Sequence, residues 1–347
     1  AAIALIAILS TITSGQVLAT EADDYGAIAG ATLDAYVGKT GFYGANAAVQ
    51  FSDGSRWIAA SGVTGPTSSS NGGRALTTSD RFHIGSQTKT YTGTTILQYL
   101  DSGHLNLDQT IDDWLPDLTV MSETKRKQIT IRDLITMRSG IGDYLNAPDP
   151  NNSGQTLLAG WNAVNGQYEL TRDQLVETAL TLAETMTPGD TGTFAYSNTN
   201  FLLLGMIAEK VSCNTSSGCQ TIGTIINDNV VALRGLTDTT YPTDNTYDGA
   251  HTNTTWNIYG TLTDFTDSTP SVPNAAGAMI STITNQLDWL IELTTNAGGT
   301  LSAQTFADRK DMTTDLNGTV ANITSGYGMA LYGSTSSSTG AETLGHG

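Results

Sequence analysis

The chain has 347 residues, long enough to bury about three quarters of its unfolded surface in one or two domains. Its 15 Lys+Arg against 33 Asp+Glu give a formal charge of −18, which argues against nucleic acid or anionic lipid as a partner. The four histidines, His83, His104, His251 and His346, are scattered without ligand spacing, so the sequence implies no metal and no cofactor.

Ala1 to Leu9 is almost wholly apolar and too short to span a bilayer. Val17-Leu18-Ala19 then offers small residues where a signal peptidase reads, followed by polar Thr20 to Asp24. We expect residues 1–19 to be a truncated signal peptide and the protein to be bacterial and secreted or periplasmic, with no membrane span after cleavage. Ala27 to Tyr36 reads as a short helix. Ala48 to Phe51 and Trp57 to Ala60, joined through Asp53-Gly54, read as a hairpin. Arg81 to Ile84 is an extended piece that delivers Ser86 to a helix running to about Ser102, with Gly103 as its stop.

Short helices and long polar loops follow. Thr130 is an N-cap candidate ahead of Ile131 to Ile135, and Phe201 to Val211 is a strongly apolar helix. Cys213 and Cys219 flank a polar loop and are expected to form a disulfide that pins a local turn. Ala275 to Ile280 leads into a helix around Leu287 to Leu290; Tyr327 to Tyr332 reads as a strand and Thr343 to Gly347 as the start of another. The expected class is α/β (α+β). Residues 20–95 and 276–347 form an antiparallel sheet flanked by helices and built from both ends of the chain, with an all-helical domain, residues 96–275, inserted.

Two strings carry the chemistry: Ser86-Gln-Thr-Lys89 where a strand turns into a helix, and Tyr196-Ser-Asn198 ahead of another helix, with Gly345-His346-Gly347 later. Each has a decoy, in Ser122-Glu-Thr-Lys125, Tyr144-Leu-Asn146 and His83-Ile-Gly85. Ser122 lies in the charged run Ser-Glu-Thr-Lys-Arg-Lys, most simply a solvated face, whereas Ser86 opens a helix anchored by Ile96, Leu97 and Leu100. Residues three apart share a helix face, so the Lys89 amine reaches the Ser86 hydroxyl. The positive potential of the helix N-terminus is expected to lower the Lys89 pKa, and the nearby ammonium to lower that of the Tyr196 phenol. Ser86 then acts as an acylated nucleophile, with its own backbone N–H as an oxyanion donor and Tyr196 passing the proton to the leaving group. On an extended segment Asn198 points the same way as Tyr196, and its amide is suited to hold a substrate peptide.

Phe82 to Lys89, Leu105-Asn-Leu-Asp108, Ile129 to Ile135, Arg138-Ser-Gly-Ile-Gly-Asp-Tyr144 and Pro188 to Asn200 together resemble the serine D-alanyl-D-alanine carboxypeptidases, which group with class C β-lactamases and family VIII esterases. The resemblance runs from about Tyr43 to Gly347. It implies the β-lactamase/transpeptidase-like fold, Ser86 as nucleophile, Lys89 and Tyr196 as proton-transfer pair, Asn198 as substrate-binding, and His346 and Gly347 on the strand bordering the cleft. It also implies further strands and a second oxyanion donor beyond Gly347. Tyr-Ser-Asn and His-Gly replace the Ser-Asp-Asn and Lys-Thr-Gly of class A β-lactamases. The carboxypeptidases carry Thr where Gly347 stands, and its hydroxyl helps bind the substrate carboxylate; glycine there leaves room for substrates without one. The expected function is D-alanyl-D-alanine carboxypeptidase acting on cell-wall peptides. The alternatives are a class C-like β-lactamase or family VIII carboxylesterase and, behind these, an inert penicillin-sensing or wall-binding protein. The partner is a small peptide, β-lactam or ester.

Overall fold

The computed structural model describes residues 4–9, 20–40, 43–67, 72–190, 193–245, 250–258, 261–312, 325–335 and 342–347. The expected cleavage site at Val17 to Ala19 lies outside them. The first helix is longer than the sequence pattern indicates, Glu21–Thr40, and opens with Glu21, Asp23 and Asp24 against its positive end. Leu33 on its inner side packs with Ala45 and Ala47. Strands Gly44–Phe51 and Arg56–Gly62 form the expected antiparallel hairpin, Ala48 opposite Ile58. Ala4–Leu9, the apolar core of the expected signal, lies as a strand parallel to Gly44–Phe51, with Ile6 opposite Ala48.

A second antiparallel sheet joins Ser325–Tyr327, Tyr332–Thr335 and Glu342–Gly345. Tyr327 to Tyr332 is therefore not one strand: a turn folds Tyr327 back opposite Tyr332. Contacts from outside the sheet impose it. The Met329 N–H donates to the Arg309 carbonyl and the Ala330 N–H to that of Ile135. Gly328 crosses so close to the Arg309 carbonyl that a Cβ there would lie 2.2 Å from its oxygen, and Ala330 takes a left-handed φ of 59°. Helix Ile283–Thr295, capped by Thr282, packs on both sheets.

Phe82–His83 pairs with Ile280–Ser281 and feeds helix Thr88–Asp101. This helix is buried along most of its length although it is rich in threonine. Its hydroxyls are satisfied: Thr92 donates to the Ala275 carbonyl, Thr94 to Thr90, Thr95 to Tyr91 and Thr90 to Gln87, which removes the cost of burying them. Asn198–Ser212 lies against it with Phe201 to Leu204, Ile207, Ala208 and Val211 buried. Much of the remaining Ser and Thr content caps helices. Thr130, Thr156, Thr171, Thr221, Thr282 and Ser302 each accept from a backbone N–H three residues on, worth about 1 kcal/mol apiece. Between residues 96 and 275 the structure adds two short antiparallel pairs to the expected helices: Pro148–Asp149 with Asn152–Thr156, and Thr255–Ile258 with Thr261–Asp264. One apolar cluster runs from Ala48 through Tyr91 and Leu203 to Leu331. Cys213 and Cys219 are joined in a disulfide that closes the turn after the Asn198–Ser212 helix.

Candidate active site

The turn into the Thr88–Asp101 helix is what presents Ser86. Gly85 has a φ of 53°, left-handed and open to glycine at little cost, and Gly85–Gln87 is a single 3-10 turn before the α-helix starts at Thr88. Ser86 is thus held on a tight turn rather than on the helix itself, and Lys89 occupies the first α-helical turn. Across the cleft, Tyr196 precedes the Ser197 N-cap of the Asn198–Ser212 helix.

These elements converge. Ser86 Oγ is 2.7 Å from Tyr196 OH and 3.1 Å from Lys89 Nζ. Nζ also donates to Asn198 Oδ1 and to the Ala276 carbonyl, each at 2.7 Å, and lies 5.0 Å from the centre of the Tyr196 ring. Lys89 is 0 % exposed. Burial, the main cause, lowers its pKa to about 7, against the pull of Asp143 toward the charged form.

A neutral lysine has two N–H bonds and one lone pair. Asn198 Oδ1 and the Ala276 oxygen can only accept, so they take both N–H bonds and leave the lone pair facing the Ser86 hydroxyl. The arrangement makes Lys89 a base directed at Ser86.

The physical causes differ from those the sequence suggested. Burial, rather than helix potential, is the leading reason for the lowered lysine. Tyr196 shifts upward, not downward: burial disfavours its phenolate, and the hydrogen bond with Ser86 offsets this only in part. Tyr196 is therefore a neutral hydroxyl that relays a proton, not a resident base. Asn198 begins a helix instead of lying on an extended segment, and its amide is spent inside the protein, with Oδ1 on Lys89 and Nδ2 on Asp143 Oδ2 at 2.8 Å.

His346 follows the strand Glu342–Gly345, its Nε2 3.0 Å from Tyr327 OH and its ring 6.3 Å from that of Tyr196. Burial, with Lys89 and Arg309 nearby, lowers its pKa well below the usual value, so it stays neutral. Gly347 reaches the cleft wall beside Gln87.

The decoys separate cleanly. Ser122 caps the helix Glu123–Gln128 by accepting from the Lys125 N–H at 3.3 Å, and Lys125 Nζ pairs with Glu184 at 3.0 Å. Tyr144 is buried and donates to the Val272 carbonyl at 2.7 Å. His83 sits in the cleft wall with its pKa lowered to about 4 by burial. The sequence reading gave no role to Asp143, Tyr327 or the Ala276 carbonyl. Asp143 stands in the quoted Arg138 to Tyr144 string beside a decoy tyrosine, whereas a backbone carbonyl leaves no trace in residue identity.

The cleft above Ser86 has a volume of about 410 Å³ and is walled by Phe82, Tyr144, Leu145, Trp161, Phe265 and Val272, among others. No lysine or arginine is among its described lining residues. The wall combines these apolar residues with a few polar groups, Ser86 and Asn198 among them, as in sites that orient a substrate by a few polar groups.

Comparison with known proteins identifies the family and the fold. A sequence profile of the Beta-lactamase family matches residues 29–347. Penicillin-binding protein 4 of Amycolatopsis lactamdurans is 40% identical over 73 residues, 21% of this chain and 19% of that protein, so the match spans about a fifth of that relative's length. A D-stereospecific amidohydrolase from Streptomyces sp. superposes with a TM-score of 0.71 at 27% identity, covering 92% of this chain and 86% of the other. The D-amino acid amidase of Ochrobactrum anthropi SV3, solved with L-phenylalanine, gives a TM-score of 0.68 at 21% identity, over 93% and 83%; at that identity the likeness is one of fold. With the profile matching residues 29–347, and Ser86 within hydrogen-bond distance of both Lys89 and Tyr196 on this architecture, the chain belongs to the Beta-lactamase family of serine hydrolases.

Proposed function

We propose that the chain hydrolyses carboxylate-free amides or esters of D-amino acids through an acyl-Ser86 intermediate. The reading is carried by the triangle of Ser86 Oγ, Lys89 Nζ and Tyr196 OH, with a lysine whose pKa lies at about 7. Lys89 in its neutral form takes the Ser86 proton as Oγ attacks the carbonyl carbon, and the Ser86 N–H receives developing charge on the carbonyl oxygen. The proton passes through Tyr196 to the leaving nitrogen or oxygen, and the bond to the leaving group breaks. A water then takes the leaving group's place, gives a proton to the same pair and attacks the acyl carbon. Oγ departs and recovers its proton from Lys89.

The apolar cleft, with no lysine or arginine among its described lining residues, supports a substrate without a free carboxylate and with an apolar side chain. The structural resemblance to a D-stereospecific amidohydrolase supports the D configuration. A D-alanyl-D-alanine carboxypeptidase has to receive a free carboxylate, and the described cleft wall holds no cation for one, with Gly347 where those enzymes carry Thr. β-Lactams and simple esters use the same machinery and differ in fit. We further propose that the protein works outside the cytoplasm, a reading supported by the apolar Ala1 to Leu9 run and by the Cys213–Cys219 disulfide.

The test is Ser86-dependent turnover of D-phenylalanine amide beside its L enantiomer, a D-alanyl-D-alanine peptide, a short p-nitrophenyl ester and nitrocefin. Faster turnover of the carboxylate-free D-amide or ester is expected. A preference for the D-alanyl-D-alanine peptide would restore the carboxypeptidase reading, and turnover undiminished in Ser86→Ala would end the acyl-serine one.

A further inference from the structure

We propose that Asp143 is a positioning residue for proton transfer at Ser86: it accepts from Asn198 Nδ2 at 2.8 Å and so fixes the Asn198 amide with its oxygen toward Lys89 Nζ. This rests on the acyl-serine reading above. Asn198 has two amide ends of nearly equal size, and only one orientation serves the chemistry. With Oδ1 toward Lys89, the amine spends an N–H on it and keeps its lone pair for Ser86. With Nδ2 toward Lys89, the lone pair would be consumed by Asn198, leaving no base for the nucleophile.

Asp143 settles the choice because an ionised carboxylate accepts only and cannot tolerate the flipped carbonyl. It is itself held: the Leu145 N–H donates to its Oδ1 at 3.1 Å, and the Asn198 backbone N–H also donates to it. The loop that carries it is clamped to the same helix start, since Ser197 and Thr199 both donate to the Gly142 carbonyl, at 3.1 and 2.7 Å. Thr199 Oγ1 in turn accepts from the Tyr144 N–H at 3.2 Å. The Gly142 to Tyr144 loop and the Ser197 to Thr199 helix start thus form one bonded unit.

A second effect is electrostatic. Asp143 favours the charged form of Lys89, while burial raises Asp143's own pKa. The other titratable groups facing this pair are Tyr144 and Tyr196, both raised by burial with Asp143 contributing, and His346, which lies near Lys89 and Arg309. Neutralising Asp143 leaves Lys89 easier to deprotonate, so the acid limb of Ser86 reactivity moves to lower pH. A residue that merely capped the turn at Leu145 would alter melting but not that limb.

The experiment follows the rate of Ser86 labelling by a fluorophosphonate across pH, with thermal midpoints read alongside. Asp143→Ala should slow labelling by roughly 10²-fold, the usual cost of mispositioning a reacting group. Asp143→Asn should move the acid limb to lower pH, and carries the test alone if Asp143→Ala does not fold. In an Asn198→Ala background, Asp143→Ala should add no further loss, because the relay is already cut. A limb that stays fixed in Asp143→Asn, wild-type labelling in Asp143→Ala, or multiplying losses in the double variant would overturn the proposal. Absence of labelling in the wild-type protein would overturn the acyl-serine reading and this inference with it; labelled wild type with unchanged variants overturns this inference alone.

Discussion

Ser86-Gln-Thr-Lys89 and Ser122-Glu-Thr-Lys125 share a pattern and share nothing of its chemistry. Both place a serine just ahead of a helix with a lysine three residues on. At Ser122 the hydroxyl accepts from the Lys125 backbone, and the amine leaves for Glu184. At Ser86 the hydroxyl meets the amine itself, 3.1 Å away: Lys89 is fully buried, and its amine has amide, carbonyl and hydroxyl oxygens as partners rather than a carboxylate. The spacing brings a lysine within range in either place. Burial turns that neighbour into a base, because in water an amine near pKa 10.5 keeps its proton.

The comparison breaks most directly at the two serines. Ser86→Ala should abolish hydrolysis and fluorophosphonate labelling, while Ser122→Ala retains both; mass mapping of the adduct decides it, and an adduct on Ser122 would reverse the assignment. Next come the tyrosines. Tyr196→Phe should lower turnover by about 10²–10⁴, the range for a positioned acid–base group, whereas Tyr144→Phe removes a buried bond to the Val272 carbonyl and should act on melting rather than on kcat. Equal losses in kcat would show that neither tyrosine is singled out by its place beside Ser86.

The pH profile sharpens the contrast further. The working form of Lys89 is neutral, so reactivity is full above its pKa of about 7 and falls as pH drops through that value, by about tenfold for each further unit. Lys125→Met should leave this limb where it is; a limb that moves with Lys125 would mean the wrong amine has been assigned. Smallest of all is the cap. Ser122→Ala should cost about 1 kcal/mol of stability, read as a modest drop in the thermal midpoint with turnover intact.

How much of this was legible depends on whether the signal lies in local pattern. The hairpin at Gly44–Phe51 and Arg56–Gly62, the Thr130 cap and the Ser86 turn are written in short stretches whose residues interact with one another, so sequence exposes them. The turn at Gly328 to Leu331 is set by the carbonyls of Arg309 and Ile135, which are distant in sequence, and was missed. Ser86, Lys89, Tyr196 and Asn198 were found by spacing and order, and the structure brings all four together. The direction of the Tyr196 shift was misread because proximity to a lysine is visible in a motif, while the depth at which both groups are buried is not. Asp143 stayed unassigned for a similar reason, since its partner Asn198 is 55 residues away.

The threonines of the Thr88–Asp101 helix carry a lesson for protein engineering. A redesign guided by burial alone would convert them to valine, which has nearly the same shape. Thr92 and Lys89 hold the consecutive carbonyls of Ala275 and Ala276, so Thr92→Val would orphan one of them and loosen the segment that orients the other toward the lysine. Directed-evolution libraries aimed at thermostability should therefore keep hydroxyls at these interior positions and look for gains on the exposed face of helix Glu21–Thr40, where Tyr25 and Ile28 stand in solvent.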